Sequence, residues 1–229
     1  KDIFYFIQMK KNRKSFYFLE PKPYLKSLFI ISKKSIFATL TAALFFFISR
    51  SLILSNIGLK GVGQFSLAIT AGATIMFLTN FIGFTFYPFI SNLAINKKEV
   101  AYKKTKNLSV ILICLSIIVP LVLVFIKILF KTRVDFYPFT INSIDLFLAF
   151  IGYGFYSAYQ VSQPFAFALT DNIKVIKIEL ISSIISFGLF ASIFLINGFS
   201  IDIILLTFCF YTLSNYLQAN KRNFRILNE

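Results

Sequence analysis

Between Ile36 and Leu54 the chain reads IFATLTAALFFFISRSLIL, nineteen positions of which only Arg50 is charged. At about 1.5 Å of rise per residue, a helix of that length covers the roughly 30 Å hydrocarbon core of a bilayer. An arginine inside such a span costs roughly 2.5 to 3.5 kcal/mol at the helix centre, so it faces protein or a wet cavity. Arg50 is therefore the first candidate for function.

The rest of the composition agrees. Hydrophobic residues make up 57% of the 229 positions and charged residues 14%, against about 25% charged in an ordinary soluble domain. This balance points to a polytopic membrane protein rather than a large soluble core. The net charge of +15 is informative mainly through its distribution, because an AT-rich coding sequence also enriches Lys, Phe, Ile and Asn. Cys114 and Cys209 fall inside apolar runs, with no CxxC and no histidine in the chain. That leaves no thiol or imidazole metal site and no histidine catalysis, and the two thiols read as buried side chains. No cofactor is expected. Lys1 to Met9 (KDIFYFIQM) is too short to span or to act as a signal core. The chain thus reads as a fragment that begins at the tail of a preceding helix.

Six apolar segments are expected, at about 36–55, 65–90, 108–130, 144–168, 175–196 and 201–218. Short connections make successive helices antiparallel neighbours in one bundle. The expected organisation is a basic, partly amphipathic linker over 1–34, a six-helix transmembrane bundle over 35–219 and a tail over 220–229. Nine basic residues lie in the linker; Lys97, Lys98, Lys103, Lys104 and Lys106 follow the second span, and Lys221, Arg222 and Arg225 follow the last. The other side carries Lys60, Lys131 and Arg133. By the positive-inside rule both termini are cytoplasmic. Pro88, Pro120 and Pro164 mark bends or ends of spans. Ser143 and Ser200 read as helix caps, with Asp145 and Asp202 in the first turns. The glycines of GLKGVG (58–63) read as a tight turn, since no GK[ST] accompanies them.

Polar residues recur at helical spacing within these runs. Gly152, Tyr156, Tyr159, Gln160 and Gln163 share an arc about 100° wide that cannot comfortably face acyl chains. Thr207, Tyr211, Ser214, Asn215 and Gln218 form a similar arc. Ala73, Asn80 and Tyr87 share a face of the second span, and Ala42, Ser49 and Asn56 share one of the first, beside Arg50. Small and polar residues also join membrane helices to one another. The functional alternative is a hydrated cavity lined by amides, hydroxyls and phenols suited to sugars, with Arg50 for a phosphate. Arg50, Asn56, Asn80, Tyr156, Gln160 and Gln163 are the candidate substrate-binding residues. No paired carboxylates, nucleophile elbow or nucleotide site is present, so the chain does not read as an enzyme or a nucleic-acid binder.

Three stretches carry a resemblance: FFFISRSLILSNIGLKGVGQFSLA (45–68), FYPFISNLAINKKEVAYKK (86–104) and QVSQPFAFALTDNIKVIKIELIS (160–182). Their order resembles the C-terminal half of polysaccharide flippases in the multidrug, oligosaccharidyl-lipid and polysaccharide exporter superfamily, most of all the Wzx-type O-antigen and enterobacterial common antigen translocases. The resemblance implies an all-α fold of two six-helix bundles, twelve helices in total, facing each other across a cavity. It also implies alternating access for an undecaprenyl-diphosphate-linked oligosaccharide at the bacterial inner membrane. The partners so implied are the lipid-linked substrate, the bilayer and a missing N-terminal six-helix half. Rival readings are a drug or cation exporter of the same superfamily, which calls for buried acids, and a membrane-embedded polysaccharide polymerase or glycosyltransferase, which calls for a large extramembrane loop or catalytic acids and bases.

Overall fold

The computed structural model describes residues 43–129, 135–136, 139–140, 142–169, 181, 184, 185, 188 and 200–228. The linker over 1–34 and most of the segment at 175–196 lie outside these residues. Five long helices stand out: α1 (Ala43–Asn56), α2 (Leu59–Asn96), α3 (Lys98–Leu129), α4 (Ser143–Leu169) and α5 (Ile201–Asn228). Ile181, Ile184, Ile185 and Gly188 are also helical. The only strands among the described residues are β1 (Asp135–Phe136) and β2 (Phe139–Thr140), an antiparallel pair that joins Asp135 to Thr140 and Phe136 to Phe139 between α3 and α4.

The helix limits follow local chemistry. Gly58, at φ 85°, breaks the chain between α1 and α2, a conformation that costs a residue with a Cβ about 1 to 2 kcal/mol. Gly61 and Gly63, expected in the same turn, instead lie inside α2. The basic stretch after the second span is a loop only at Lys97; α3 starts at Lys98 with Glu99 in its first turn. Lysine, glutamate and alanine are good helix formers, so KEVAYKKTK extends the helix rather than interrupting it. For the same reason the expected tail is helical through Asn228. Pro88, Pro120 and Pro164 all lie within helices. Ser200 caps α5 as expected, its Oγ accepting from the Ile203 N–H at 3.3 Å. At α4 the cap is Asn142, not Ser143: its Oδ1 accepts from the Ile144 N–H at 3.3 Å and its carbonyl from the Leu146 N–H at 3.1 Å. Asparagine is at least as good a cap as serine.

Side-chain contacts fix the directions of the helices. Gly72 of α2 lies against Ala149 and Tyr153 of α4, while Ile90 further along α2 shares a cluster with Phe165 further along α4. These two helices run parallel. The Cys209 thiol donates to the Leu148 carbonyl and the Asn223 amide to the Ser162 carbonyl, so α5 is parallel to α4 as well. In α3 the order reverses: Tyr102 meets Phe165, Ser109 meets Ala158 and Ser116 meets Gly154. Phe45 of α1 stacks near Phe208 at the level of Gly152 and Gly72, so α1 and α2 form a hairpin about Gly58. From α1 to α4 the directions alternate as in an up-and-down bundle, with α4 at its centre and α5 parallel to it.

Two apolar clusters hold the bundle. One joins Phe45, Ile53, Phe65, Ala68, Ile69, Ala149, Tyr153, Ile201, Ile204, Leu205 and Phe208. The other joins Ile90, Ala94, Ala101, Phe165, Ala166 and Ile226 at the far end. The stretches Leu59–Ile82 and Lys98–Ile126 are long and apolar enough to cross a membrane. Phe77, Phe81, Ile111, Ile118, Leu121 and Phe125 on those helices are exposed, apolar surface of the kind that marks contact with lipid or with another protein.

Candidate functional site: a polar layer between two apolar clusters

Between the clusters α4 and α5 carry side chains of a different kind. From Tyr153 to Phe165, α4 presents buried Ser157, Ser162 and Gln163; from Phe208 to Ile226, α5 presents buried Thr212, Asn215 and Asn223. The spacing Phe208, Thr212, Asn215, Ala219, Asn223, Ile226 proceeds in steps of three or four, which keeps all six on one helix face. The polar residues of the two helices are therefore drawn into the same seam by the apolar residues that bracket them.

Part of this layer is satisfied internally. Thr212 donates back to the Phe208 and Cys209 carbonyls, each at 3.0 Å. Ser109, reaching in from α3, lies 2.9 Å from the Thr105 carbonyl and 3.2 Å from that of Ala158. Asn223 Nδ2 donates to the Ser162 carbonyl at 3.0 Å, and its Oδ1 accepts from Arg222 Nε at 3.3 Å and Nη2 at 3.2 Å. Gln163 Oε1 accepts from Arg222 Nη2 at 3.5 Å.

Another part is not. Ser157 Oγ, Gln163 Nε2 and both Asn215 side-chain atoms are buried with no hydrogen-bond partner, and Asn215 has no exposed surface at all. A buried polar atom without a partner costs about 1 to 3 kcal/mol, and native interiors keep few of them. Four such atoms in one layer mark it as a place for water or for the polar groups of a ligand.

The expected site residues divide accordingly. Gln163 lies in the layer, and Gln160 and Tyr156 flank it half-buried, with Tyr156 and Tyr159 in ring contact at 6.4 Å. Asn80 lies between Gly72 and Ile90, level with the layer, but on an exposed face of α2. Asn56 is exposed near the Gly58 turn, bonding to the Leu52 carbonyl at 2.8 Å and Ser55 Oγ at 3.1 Å, toward the opposite end from Gln163. Arg50 is exposed on α1, with its charge in electrostatic reach of the Tyr153 phenol. Gln163 is ten residues beyond Tyr153, roughly 15 Å along the helix. Among the described residues, then, Arg50, Asn56 and Asn80 do not converge with Gln160 and Gln163.

Arg222 and Asn223 were read from sequence as tail residues and Ser157 was not singled out. The signal that finds them is the three-and-four spacing of α5, which runs unbroken past the end of the apolar segment.

The two ends of the bundle differ in charge. Lys97, Lys98, Lys103, Lys104, Lys106, Lys221, Arg222 and Arg225 share the end where α2, α4 and α5 finish and α3 begins. Lys104 Nζ sits 4.8 Å from the centre of the Phe89 ring there, a cation–π contact between α2 and α3. At the other end, Asp145 and Asp202 lie in the first turns of α4 and α5, each with a buried carboxylate oxygen that has no hydrogen-bond partner. No group of three potential metal-ligating His, Cys, Asp or Glu side chains occurs among the described residues. No family model matches the chain, and neither a curated protein nor a solved structure does.

Proposed function

We propose that the chain is the C-terminal half of a membrane flippase that moves an undecaprenyl-diphosphate-linked oligosaccharide across the bacterial inner membrane by alternating access. The observation that carries this reading is the buried layer of unpartnered carboxamide and hydroxyl groups running from mid-height toward the basic end of a helical bundle with apolar, exposed flanks. Sugar hydroxyls both donate and accept, so they match an amide-lined layer that no internal partner completes. Such a carrier needs no bond-making centre: it needs two states with different affinities for its cargo.

The helix directions support six spans within twelve. α4 ends at the basic end and α5 begins at the other, so the chain joining Leu169 to Ile201 connects opposite ends of the bundle. With the basic end in the cytoplasm, as the positive-inside rule prefers, both termini of the chain are cytoplasmic. In this reading the exposed Arg50, Asn56 and Asn80 face the N-terminal half across the cavity, with Arg50 drawing the diphosphate, while Asn80, Gln160 and Gln163 line the sugar path.

The test is genetic. In cells dependent on the full-length protein, Arg50→Ala should cause lipid-linked repeat units to accumulate on the cytoplasmic side, with surface polysaccharide lost. Wild-type surface polysaccharide would remove Arg50 from the mechanism. One observation favours a cation or drug exporter instead: the carboxylates of Asp145 and Asp202, each with a buried oxygen that lacks a hydrogen-bond partner, are the kind of acidic site such a carrier uses. Export of a cationic dye that disappears in Asp145→Asn, with polysaccharide unchanged, would decide for that reading.

A further inference from the structure

We infer that the basic end of the bundle is a binding surface for anionic phospholipid headgroups, formed by Lys103, Lys104 and Lys106 of α3 with Lys221, Phe224 and Arg225 of α5. Such a surface follows from the spans and not from the cargo, so it stands or falls apart from the flippase reading.

Charge marks one boundary on two helices independently. Along α3 no charged residue lies between Lys106 and Lys127, a separation of 21 residues or about 32 Å. Along α5 none lies between Asp202 and Lys221, 19 residues or about 28 Å. Each uncharged interval matches a hydrocarbon core of roughly 30 Å. The two helices run in opposite directions, so Lys106 and Lys221 stand at the same face of the bilayer. Five residues beyond each of them, Ala101 and Ile226 are buried in one cluster with Ile90, Ala94, Phe165 and Ala166. The helical extensions past the boundary are therefore packed onto the ends of α2 and α4, and the cations they carry are held in place.

The outward faces of the two helices decide what those cations meet. Lys103 shares a side of α3 with the exposed Val110, Ile111, Ile118, Leu121 and Phe125. Lys221 and Arg225 share a side of α5 with the exposed Leu206, Phe210 and Leu217. Each apolar stripe thus runs without interruption into cations, and the layer that adjoins acyl chains is the headgroup layer. Lysine and arginine stems lie along apolar surface while their charged heads reach outward. Phe224, exposed between Lys221 and Arg225, adds the aromatic contact of an interfacial helix. Lys104 is steadied by the Phe89 ring at 4.8 Å, a contact that leaves its charge in place. Glu99 is the only acid at this end among the described residues. The field of five exposed cations therefore favours a headgroup with net negative charge over a zwitterionic one.

The chain contains no tryptophan, so Phe224→Trp supplies a single fluorescent reporter at the surface. The purified chain is placed in phosphatidylcholine nanodiscs containing equal fractions of either phosphatidylglycerol or phosphatidylcholine brominated near the headgroup end of the acyl chain. Brominated phosphatidylglycerol should quench the reporter at least about twofold more than brominated phosphatidylcholine. The excess should vanish in about 1 M salt, where charges are screened within about 3 Å. It should vanish too when Lys103→Gln, Lys106→Gln, Lys221→Gln and Arg225→Gln are combined with the reporter. Phe125→Trp, toward the other end of α3, should be quenched equally by the two lipids. Equal quenching at Phe224→Trp, or an excess untouched by the four substitutions, would overturn the surface. Absence of quenching by either lipid would overturn the lipid partner, and an emission shift on adding soluble polyglutamate would then assign this end to an acidic protein. Should the combined variant fail to fold, the reporter alone decides: an excess that survives the high salt would overturn the proposal.

Discussion

Gly72→Ala tests the parallel packing of α2 on α4, on which the directions of the other helices depend. A Cβ at position 72 would stand 2.7 Å from the Ala149 carbonyl oxygen, 2.8 Å from its carbonyl carbon and 2.9 Å from a Tyr153 ring carbon. Two of these three are backbone atoms in mid-helix, which cannot rotate away. Overpacking of this kind costs typically about 1 to 3 kcal/mol. Against it stands the gain from replacing glycine by alanine in a helix, about 0.8 to 1 kcal/mol. The net expectation is a loss of up to roughly 2 kcal/mol by these two principles. Gly188→Ala is the matched control, since a Cβ at that helical position meets nothing within 4 Å and should gain up to about 1 kcal/mol. Unfolding of the purified chain in mixed micelles, titrated with denaturing detergent, reads both. Gly72→Ala moved in the same direction as Gly188→Ala and by as much would refute the contact.

Two further outcomes follow from the same contacts. Asn215→Leu removes two unpartnered polar atoms from a fully buried position at similar bulk, so the bundle should gain about 1 to 3 kcal/mol of stability; a loss of stability in the same detergent titration would show that Asn215 is bonded after all. Gly58→Ala forces a Cβ into the left-handed region at φ 85° and should cost about 1 to 2 kcal/mol, read as a lower melting temperature with the helical circular dichroism retained at 20 °C or so.

What was legible in the sequence follows from what lipid and water demand. Apolar runs gave α1 through α5 because a helix facing hydrocarbon needs uninterrupted hydrophobicity, and the segment near 65–90 duly lies within α2. Helix ends were not legible, since Lys98, Lys103, Lys221 and Arg222 are as content in a helix beyond the apolar zone as in a loop. The interior polar residues Gln163 and Asn215 were visible through helical spacing. Arg50, Asn56 and Asn80 were visible as residues that lipid should reject, but that rule names no partner surface. It cannot distinguish a place in this bundle's own layer from a place on a face that another part of a transporter covers. Arg222 and Asn223 went unread because attention to hydropathy stops where the apolar run stops, whereas the packing face of α5 continues.

The contacts of α4 differ along its length in a way that bears on movement. Toward its start, α5 is seated sterically: a Cβ at Gly152 would fall 2.5 Å from a Phe208 ring carbon, and Phe208 stacks in turn with Phe45, Phe46 and Tyr153. Toward its end, α5 is held to α4 by Asn223 and by the long 3.5 Å contact of Arg222 with Gln163. Separating the helices at the first end opens a void in close-packed aromatic rings, which costs contacts that nothing replaces. Separating them at the basic end exchanges hydrogen bonds between protein groups for hydrogen bonds to water, and it also parts Phe165 and Ala166 from Ile226 in the second apolar cluster. The two helices are therefore joined at both ends, by aromatic rings toward the start of α4 and by an apolar cluster with hydrogen bonds toward its end.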